Sequence, residues 1–288
     1  MLFANRKHLL LLMGPAFFML CVFAVYPVIQ IFIYSFLDVD YTAGKSVFIG
    51  IENYEELLDD WKFAISAKNT LVFSVIASLL QVGLGLLLAL LFNREFWGKR
   101  FAMSVIIYPM MLSTLVCSAI WRSWYHFDFG LLNYILISLG LVPIEWLTDP
   151  DLALYSVILV DIWQWTPMTF LIMMAGMQSI PKDVLEAAQN DGAKGWRLYW
   201  YIILPQLRSH LFLALLLRTI DTFKIFDKVY ALTGGGPGVA TETLSMYVYE
   251  KGFKFFELGL ASAASMVMLL IALALSIVYA MQTLKDER

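Results

Sequence analysis

Charge is scarce in this sequence of 288 residues: Asp, Glu, Lys and Arg make up 15% of it, where a soluble domain carries about 25%. With 60% of residues apolar, that scarcity excludes a soluble globular domain and points to an integral membrane protein. Histidine is rarer still. His8, His126 and His210 stand far apart with no cysteine or carboxylate cluster beside them, so no metal centre is expected. None of the three lies well inside an apolar run, which leaves no catalytic constellation for an intramembrane enzyme. The two cysteines, Cys21 and Cys117, both fall in apolar stretches and read as small buried hydrophobes rather than a disulfide. A nucleotide loop is missing too. The run Gly234-Gly235-Gly236-Pro237-Gly238 is not followed by Lys-Ser/Thr, and Gly44-Lys45-Ser46 has Val39 where the phosphate-loop pattern needs glycine. The chain is therefore expected to bind no cofactor, to catalyse no covalent step and to bind no nucleic acid. No repeat of 20–50 residues, inverted repeat or low-complexity tract is visible, which disfavours a secondary carrier.

What is present are long apolar runs. A span needs about 20 such residues to cross a hydrocarbon core of roughly 30 Å. Six are expected, at 9–37, 70–92, 101–121, 153–176, 207–226 and 258–281, within one domain covering 1–288. The fold class is all-α and polytopic. The first run follows Arg6 and Lys7 like a signal peptide, but it is too long and lacks a small-residue cleavage site. It is expected to be a retained helix loosened near Pro15 and Pro27. Its Phe17, Phe18, Tyr26, Phe32 and Tyr34 read as packing and belt residues.

Orientation follows the placement of basic residues. With the N-terminus inside, the inner segments hold eleven Lys and Arg, among them Arg6, Lys7, Arg94, Lys99, Arg100, Lys182, Lys194 and Arg197; the outer ones hold seven, including Lys228. Both termini are then cytoplasmic, and so is the loop 177–206. The outer loop 38–69 should carry a short acidic surface helix around Glu55, Glu56, Asp59 and Asp60. The outer segment 122–152 is expected to lie as an interfacial hairpin, with Trp124 and Trp146 as belt residues.

Span five is unusual, because Arg218, Asp221 and Lys224 fall inside it. Such charges cost around 2.5–3.5 kcal/mol each on insertion scales and face a cavity or one another. At helical spacing Arg218, Asp221, Thr222 and the apolar Ile225 share one side, opposite Leu213, Leu216, Ile220 and Phe223, with Lys224 nearer the apolar side. By the helical rise, Arg218 lies roughly 18 Å in from the inner edge and Asp161 roughly 12 Å in from the outer edge. The two come to similar depth. Asp161, Gln164 and Trp165 share a face of span four. Two readings stay open. These faces border a translocation pathway, in which hydroxylated solutes meet Asp, Gln, Thr and Arg and stack on Trp165; or the charges form a structural ion pair that holds helices together.

The loop 177–206 carries the strongest signal. Pro181 suits a first helical position, the following helix runs through Glu186, Ala187 and Ala188 toward Asp191, Gly192 supplies a break, and a second helix ends near Pro205. The result is an elbow tied at both ends to spans. Glu186-Ala187-Ala188, then Gly192, then Ile202-x-Leu204-Pro205 resembles the EAA loop of binding-protein-dependent ABC importer permeases. Further stretches are similar to the carbohydrate-uptake branch: Asp227-x-x-Tyr230-Ala231-Leu232-Thr233 through Gly238, Phe48-x-Gly50-x-x-Asn53-Tyr54, Gly130-x-x-Asn133 and Trp163-x-Trp165-Thr166-Pro167. The resemblance spans about residues 9–281. It implies a six-helix subunit of the type I importer fold in the bacterial inner membrane. It also implies an extracytoplasmic solute-binding protein, a second homologous permease, and two ATPase subunits that hold ATP and Mg and dock at Glu186–Asp191. The expected cargo is a sugar; glycerol 3-phosphate or a polyamine is the alternative. The glycine-rich run would form a tight outer turn shaping the outer gate.

Overall fold

In the computed structural model the described residues are 6–40 and 44–286. Helix dominates, as the long apolar runs require. Four helices are long and apolar enough to cross a membrane, and six spans result if each of two bent pairs counts as one. The contacts fall into two compact units: Met1–Phe63 with Tyr247–Leu270, and Ala64–Met246 with Ile271–Arg288.

The first unit begins with α1 (Arg6–Leu20), a π-helical turn over Cys21–Val25, and α2 (Tyr26–Tyr34). The turn sits just before Pro27, whose ring has no N–H to give to the preceding turn. A two-stranded antiparallel hairpin follows, β1 (Leu37–Asp40) with β2 (Lys45–Phe48), paired from Leu37↔Phe48 to Asp40↔Lys45. It is the one departure from the all-α expectation among the described residues. The acidic helix α3 (Glu52–Asp59) then turns Glu55, Glu56 and Asp59 outward and buries Asn53 and Leu57. Asn53 donates to the carbonyls of Ser35 and Leu37, both at 3.0 Å, and Tyr54 bonds Ser35 Oγ at 2.8 Å. The Phe48–Tyr54 motif is thereby explained as a clamp on the end of α2, with Gly50 at φ +66°. Leu57 and Tyr247 pack on Leu260, Ala263 and Ala264 of α15 (Leu258–Asp286).

The second unit holds most of α4 (Trp61–Phe92), then α5 (Lys99–Met111), α6 (Thr114–Trp124), α7 (Leu131–Ser138) and α8 (Ala153–Ser179). After the elbow come α12 (Arg208–Phe223), α13 (Asp227–Leu232) and the start of α14 (Leu244–Tyr249), whose Tyr247–Tyr249 belong to the first unit. Helix α4 starts nine residues before the expected boundary. The third span, expected over 101–121, bends by 100° between α5 and α6. Ser113 starts α6 by capping Val116 N, and Gln164 of α8 donates to the Leu112 carbonyl that the break leaves free, at 3.0 Å. A side chain thus takes over a backbone bond lost to the bend.

Helix α8 is the centre of this unit. Two apolar clusters pack along it. One gathers Phe73, Ala77, Cys117, Trp121, Tyr125, Val157 and Val229; the other gathers Val82, Ala89, Phe170, Met173, Met177, Ile203 and Leu207. Two glycines let neighbours approach α8 closely. A Cβ on Gly85 of α4 would overlap Thr169 Oγ1, and one on Gly176 would come within 2.7 Å of the His210 ring. Trp124 and Trp146, expected as belt residues, pack against the first cluster, so the segment 122–152 is folded onto the bundle.

Candidate functional site

Between the two apolar clusters lies a polar layer. On α4, Gln81 falls between Ala77 of the first cluster and Val82 of the second. Its Nε2 donates to Asp161 Oδ2 at 2.7 Å and to the Asp161 carbonyl at 3.0 Å. Its Oε1 accepts from Arg218 Nε at 2.7 Å. Asp161 also pairs with Arg218 Nη2 at 3.5 Å and with Lys228 Nζ. Asp161, Arg218, Gln81 and Lys228 are all at most 1% exposed. Helices α4, α8, α12 and α13 are therefore joined through one carboxylate. Two cations and one anion are fully buried there; Asp221 supplies the second negative charge, 3.3 Å from Arg218 Nη1 and 3.2 Å from the exposed Lys224. The net charge of this group is then small, which is what lets charge persist in so apolar a setting.

The six residues expected on a pathway do not share one environment. Asp161, Gln164, Arg218 and Thr222 are buried. Thr222 bonds the Arg218 carbonyl at 2.7 Å and Ser74 Oγ at 3.0 Å, so it serves helix packing. The Gln164 amide nitrogen holds Leu112 while its oxygen, also buried, has no hydrogen-bond partner among the described residues. Trp165 is half-buried, with Arg218 Cζ 5.0 Å and Lys228 Nζ 5.9 Å from its ring, a cation–π arrangement. Asp221 keeps 39% of its side chain exposed. Only Trp165 and Asp221 of the six reach the surface of the chain. The polar side of α12 is packed inward, and Leu213 opposite it is 45% exposed. This is the arrangement expected where the surrounding medium is lipid.

Lys228 was assigned from sequence to the outer loop, because it follows the end of the apolar run. The chain turns over Lys224–Phe226, and α13 points the lysine back to Asp161. Gln81 gave no signal, being uncharged within a long apolar helix. The polar spacing Ser74, Ser78, Gln81 on α4 was the available hint.

At the far end of α8 is the elbow. Helix α9 (Lys182–Asn190) ends with Ala193 N bonding the Ala188 carbonyl at 2.9 Å and Gly192 at φ +86°, a Schellman-type stop that needs glycine. Glu186, Ala187, Asp191 and Gly192 are exposed, while Ala188 is buried. The second arm runs over α10 (Trp196–Leu198), a π-helical turn and α11 (Leu204–Gln206), with Pro205 exposed, and meets α12 at 64°. Ile180, Leu185, Leu198, Ile203 and Leu207 root both arms in the second apolar cluster. At the other end, Gly234 (φ +63°), Gly235 (φ +93°), Gly236 and Pro237 form a turn held to α4. Asn69 Nδ2 reaches the carbonyls of Val239, Ala240 and Glu242 at 3.0–3.1 Å.

Helices of membrane length, one buried carboxylate that joins four helices, and an exposed elbow between two spans define a membrane transport permease. The chain belongs to the family of binding-protein-dependent transport system inner membrane components, whose family model matches residues 81–285. A probable ABC transporter permease protein of Sinorhizobium fredii is 39% identical over 266 residues, 92% of this chain and 85% of that protein. The trehalose/maltose transport system permease protein MalF of Thermococcus litoralis is 35% identical over 277 residues, 96% of this chain and 92% of that protein. Among solved structures, a chain of a bacterial ABC transporter involved in the import of the acidic polysaccharide alginate superposes with a TM-score of 0.85 at 23% identity, over 97% of this chain and 96% of that one. That likeness establishes the type I importer permease fold, and the chain is a multi-pass inner-membrane protein.

Proposed function

We propose that this chain forms half of the pore of an ATP-driven importer that takes a carbohydrate, or a small phosphorylated or sulfonated relative of one, from an extracytoplasmic binding protein. A second homologous permease completes the pore. Two ATPase subunits hold ATP and Mg and dock at Glu186, Ala187 and Asp191, with both termini on their side of the membrane. The carrying observation is that the exposed elbow is rooted in α8 and α12, the two helices that Asp161 and Arg218 tie together. A push at Glu186–Gly192 then moves α4, α8, α12 and α13 as one body rather than bending one helix. That is a two-state element biased by a ligand, here ATP on the partner.

Trp165 and Asp221 line the solute path in this reading, and Asp161, Gln164, Arg218 and Thr222 hold them in place. The carbohydrate assignment is supported by relatives named for trehalose/maltose, sulfoquinovosyl glycerol and sn-glycerol 3-phosphate. Purification of the assembled complex, followed by ATPase and uptake assays with maltose, trehalose, glycerol 3-phosphate and putrescine, tests it. Stimulation by one of the first three, lost in Glu186→Ala, is expected. Stimulation by putrescine alone, or a complex without an ATPase, would sink the reading.

A further inference from the structure

A cavity of about 410 Å³ opens at the end of α8 opposite the elbow, where neither the elbow nor the buried charge layer reaches. The residues that matter are Arg122, Glu145, Trp146, Thr148, Thr233 and Gly236. Its walls are fixed before any ligand arrives. Asn133, 1% exposed, donates to the carbonyls of Phe127 and Ile144 and accepts from Ile144 N and from the Trp146 indole N–H, all at 3.0–3.1 Å. With that N–H taken, Trp146 has only ring carbon to offer the cavity. Its ring also leans on Tyr125, centroids 5.5 Å apart. The facing wall is the glycine-rich turn. There Thr241 Oγ1 bonds Thr233 Oγ1 at 2.7 Å and the Gly236 carbonyl at 2.8 Å, and Asn69 anchors the segment that follows.

The polar groups at the rim keep spare capacity. Among the described residues the Arg122 side chain makes one long contact, 3.5 Å to the Ala231 carbonyl, and the Glu145 carboxylate accepts only from the Thr148 hydroxyl at 2.9 Å. Among the described residues neither is in an ion pair. A flat aromatic surface beside an exposed cation and an exposed carboxylate with spare capacity suits a ligand with C–H faces and hydroxyls that both donate and accept. The volume falls in the range of roughly 300–1,000 Å³ typical of small-molecule sites.

We infer that this cavity is an outer carbohydrate subsite, taking one or two sugar rings stacked on Trp146 and hydrogen-bonded to Arg122 and Glu145. It lies apart from the path along Trp165 and Asp221. It is also connected to the buried charges, because α13 carries Lys228 near its start and Leu232, a cavity residue, at its end. A sugar seated against Leu232 and Thr233 bears on the helix whose lysine holds Asp161. The inference rests on the importer reading above.

The test uses the assembled transporter in detergent without its binding protein. Maltose, trehalose and glycerol 3-phosphate are the probes, read by saturation-transfer NMR, with uptake by intact cells measured in parallel. The probe that wild-type cells import is expected to bind with transfer to its ring C–H protons. Arg122→Gln and Glu145→Gln, both on exposed side chains that leave the fold alone, each weaken binding by about tenfold, the scale of one charged hydrogen bond. Trp146→Phe keeps the stacking surface and weakens it less. Unchanged binding in both rim variants, alongside normal wild-type uptake, overturns the subsite and leaves the importer reading standing. Loss of binding-protein-stimulated ATPase activity in these variants with sugar binding unchanged makes the cavity a protein contact and also overturns it. Import of putrescine and of none of the three probes removes both readings together.

Discussion

Two helices of similar length show opposite behaviour. The first span, Met13–Tyr34, is the more apolar and buries none of its residues in the chain; α8 is the more polar and has 67% of its most apolar stretch buried. In a soluble protein the order would be reversed. Here the solvent is lipid, so apolar side chains have nothing to gain by leaving it, and packing goes to the helices that carry small and polar groups. Phe17, Phe18 and Phe23 are each more than 60% exposed. On α8, by contrast, Ser156, Asp161, Gln164, Thr166 and Thr169 are all buried. Polarity within a span thus marks the interior of the bundle.

The comparison is sharpest at the charges. Arg218→Ala removes a partner from Asp161, Gln81 and Asp221 at once and leaves Lys228 as the only cation on a fully buried carboxylate. It should lower the unfolding free energy by about 3–5 kcal/mol, the cost of breaking a buried pair, seen as a large fall in melting temperature of the detergent-purified complex. An unchanged melting temperature would break the contrast. Glycines come next. Gly85→Val, facing Thr169, should cost about 1–3 kcal/mol by overpacking. Gly14→Ala in the first span, with open space around it, should be neutral or slightly stabilising in the same melt. Asn133→Ala leaves the Trp146 N–H and Ile144 N without their acceptor and should cost about 1–3 kcal/mol; it should also blue- or red-shift the Trp146 emission, checked against Trp146→Phe. Phe17→Leu should be smallest, within about 0.5 kcal/mol, and a fall like that of Arg218→Ala would show the first span to be packed rather than lipid-facing.

Legibility in the sequence followed how local each feature is. The elbow was readable because Glu186-Ala187-Ala188, Gly192 and Pro205 act within a few residues of one another, and its positive-φ stop depends only on Gly192. The similar depth of Asp161 and Arg218 was readable, since helical rise sets it; that they pair was one of two open readings. The direction of the polar face of α12 was not, because periodicity gives a face but not what covers it. Lys228 was misassigned because the turn at Lys224–Phe226 sends the chain back into the bundle, a tertiary event. The bend at Leu112 was hidden in an apolar run, where only Pro109 and Ser113 hint at a break. The outer cavity depends on Asn133 meeting Ile144 and Trp146 across a loop, and its parts were read separately as family-like motifs or belt residues.

The central claim is that the elbow drives a body made rigid by the Asp161 layer. The most direct measurement is the number of ATP molecules hydrolysed per solute imported by vesicles reconstituted with Gly192→Val. A Cβ at this position meets nothing within 4 Å, so the substitution acts through the φ of +86° and not on the spans. The account predicts that hydrolysis continues while the ratio rises roughly tenfold or more, the scale of a lost coupling energy of about 1–3 kcal/mol. A wild-type ratio in that variant would contradict it.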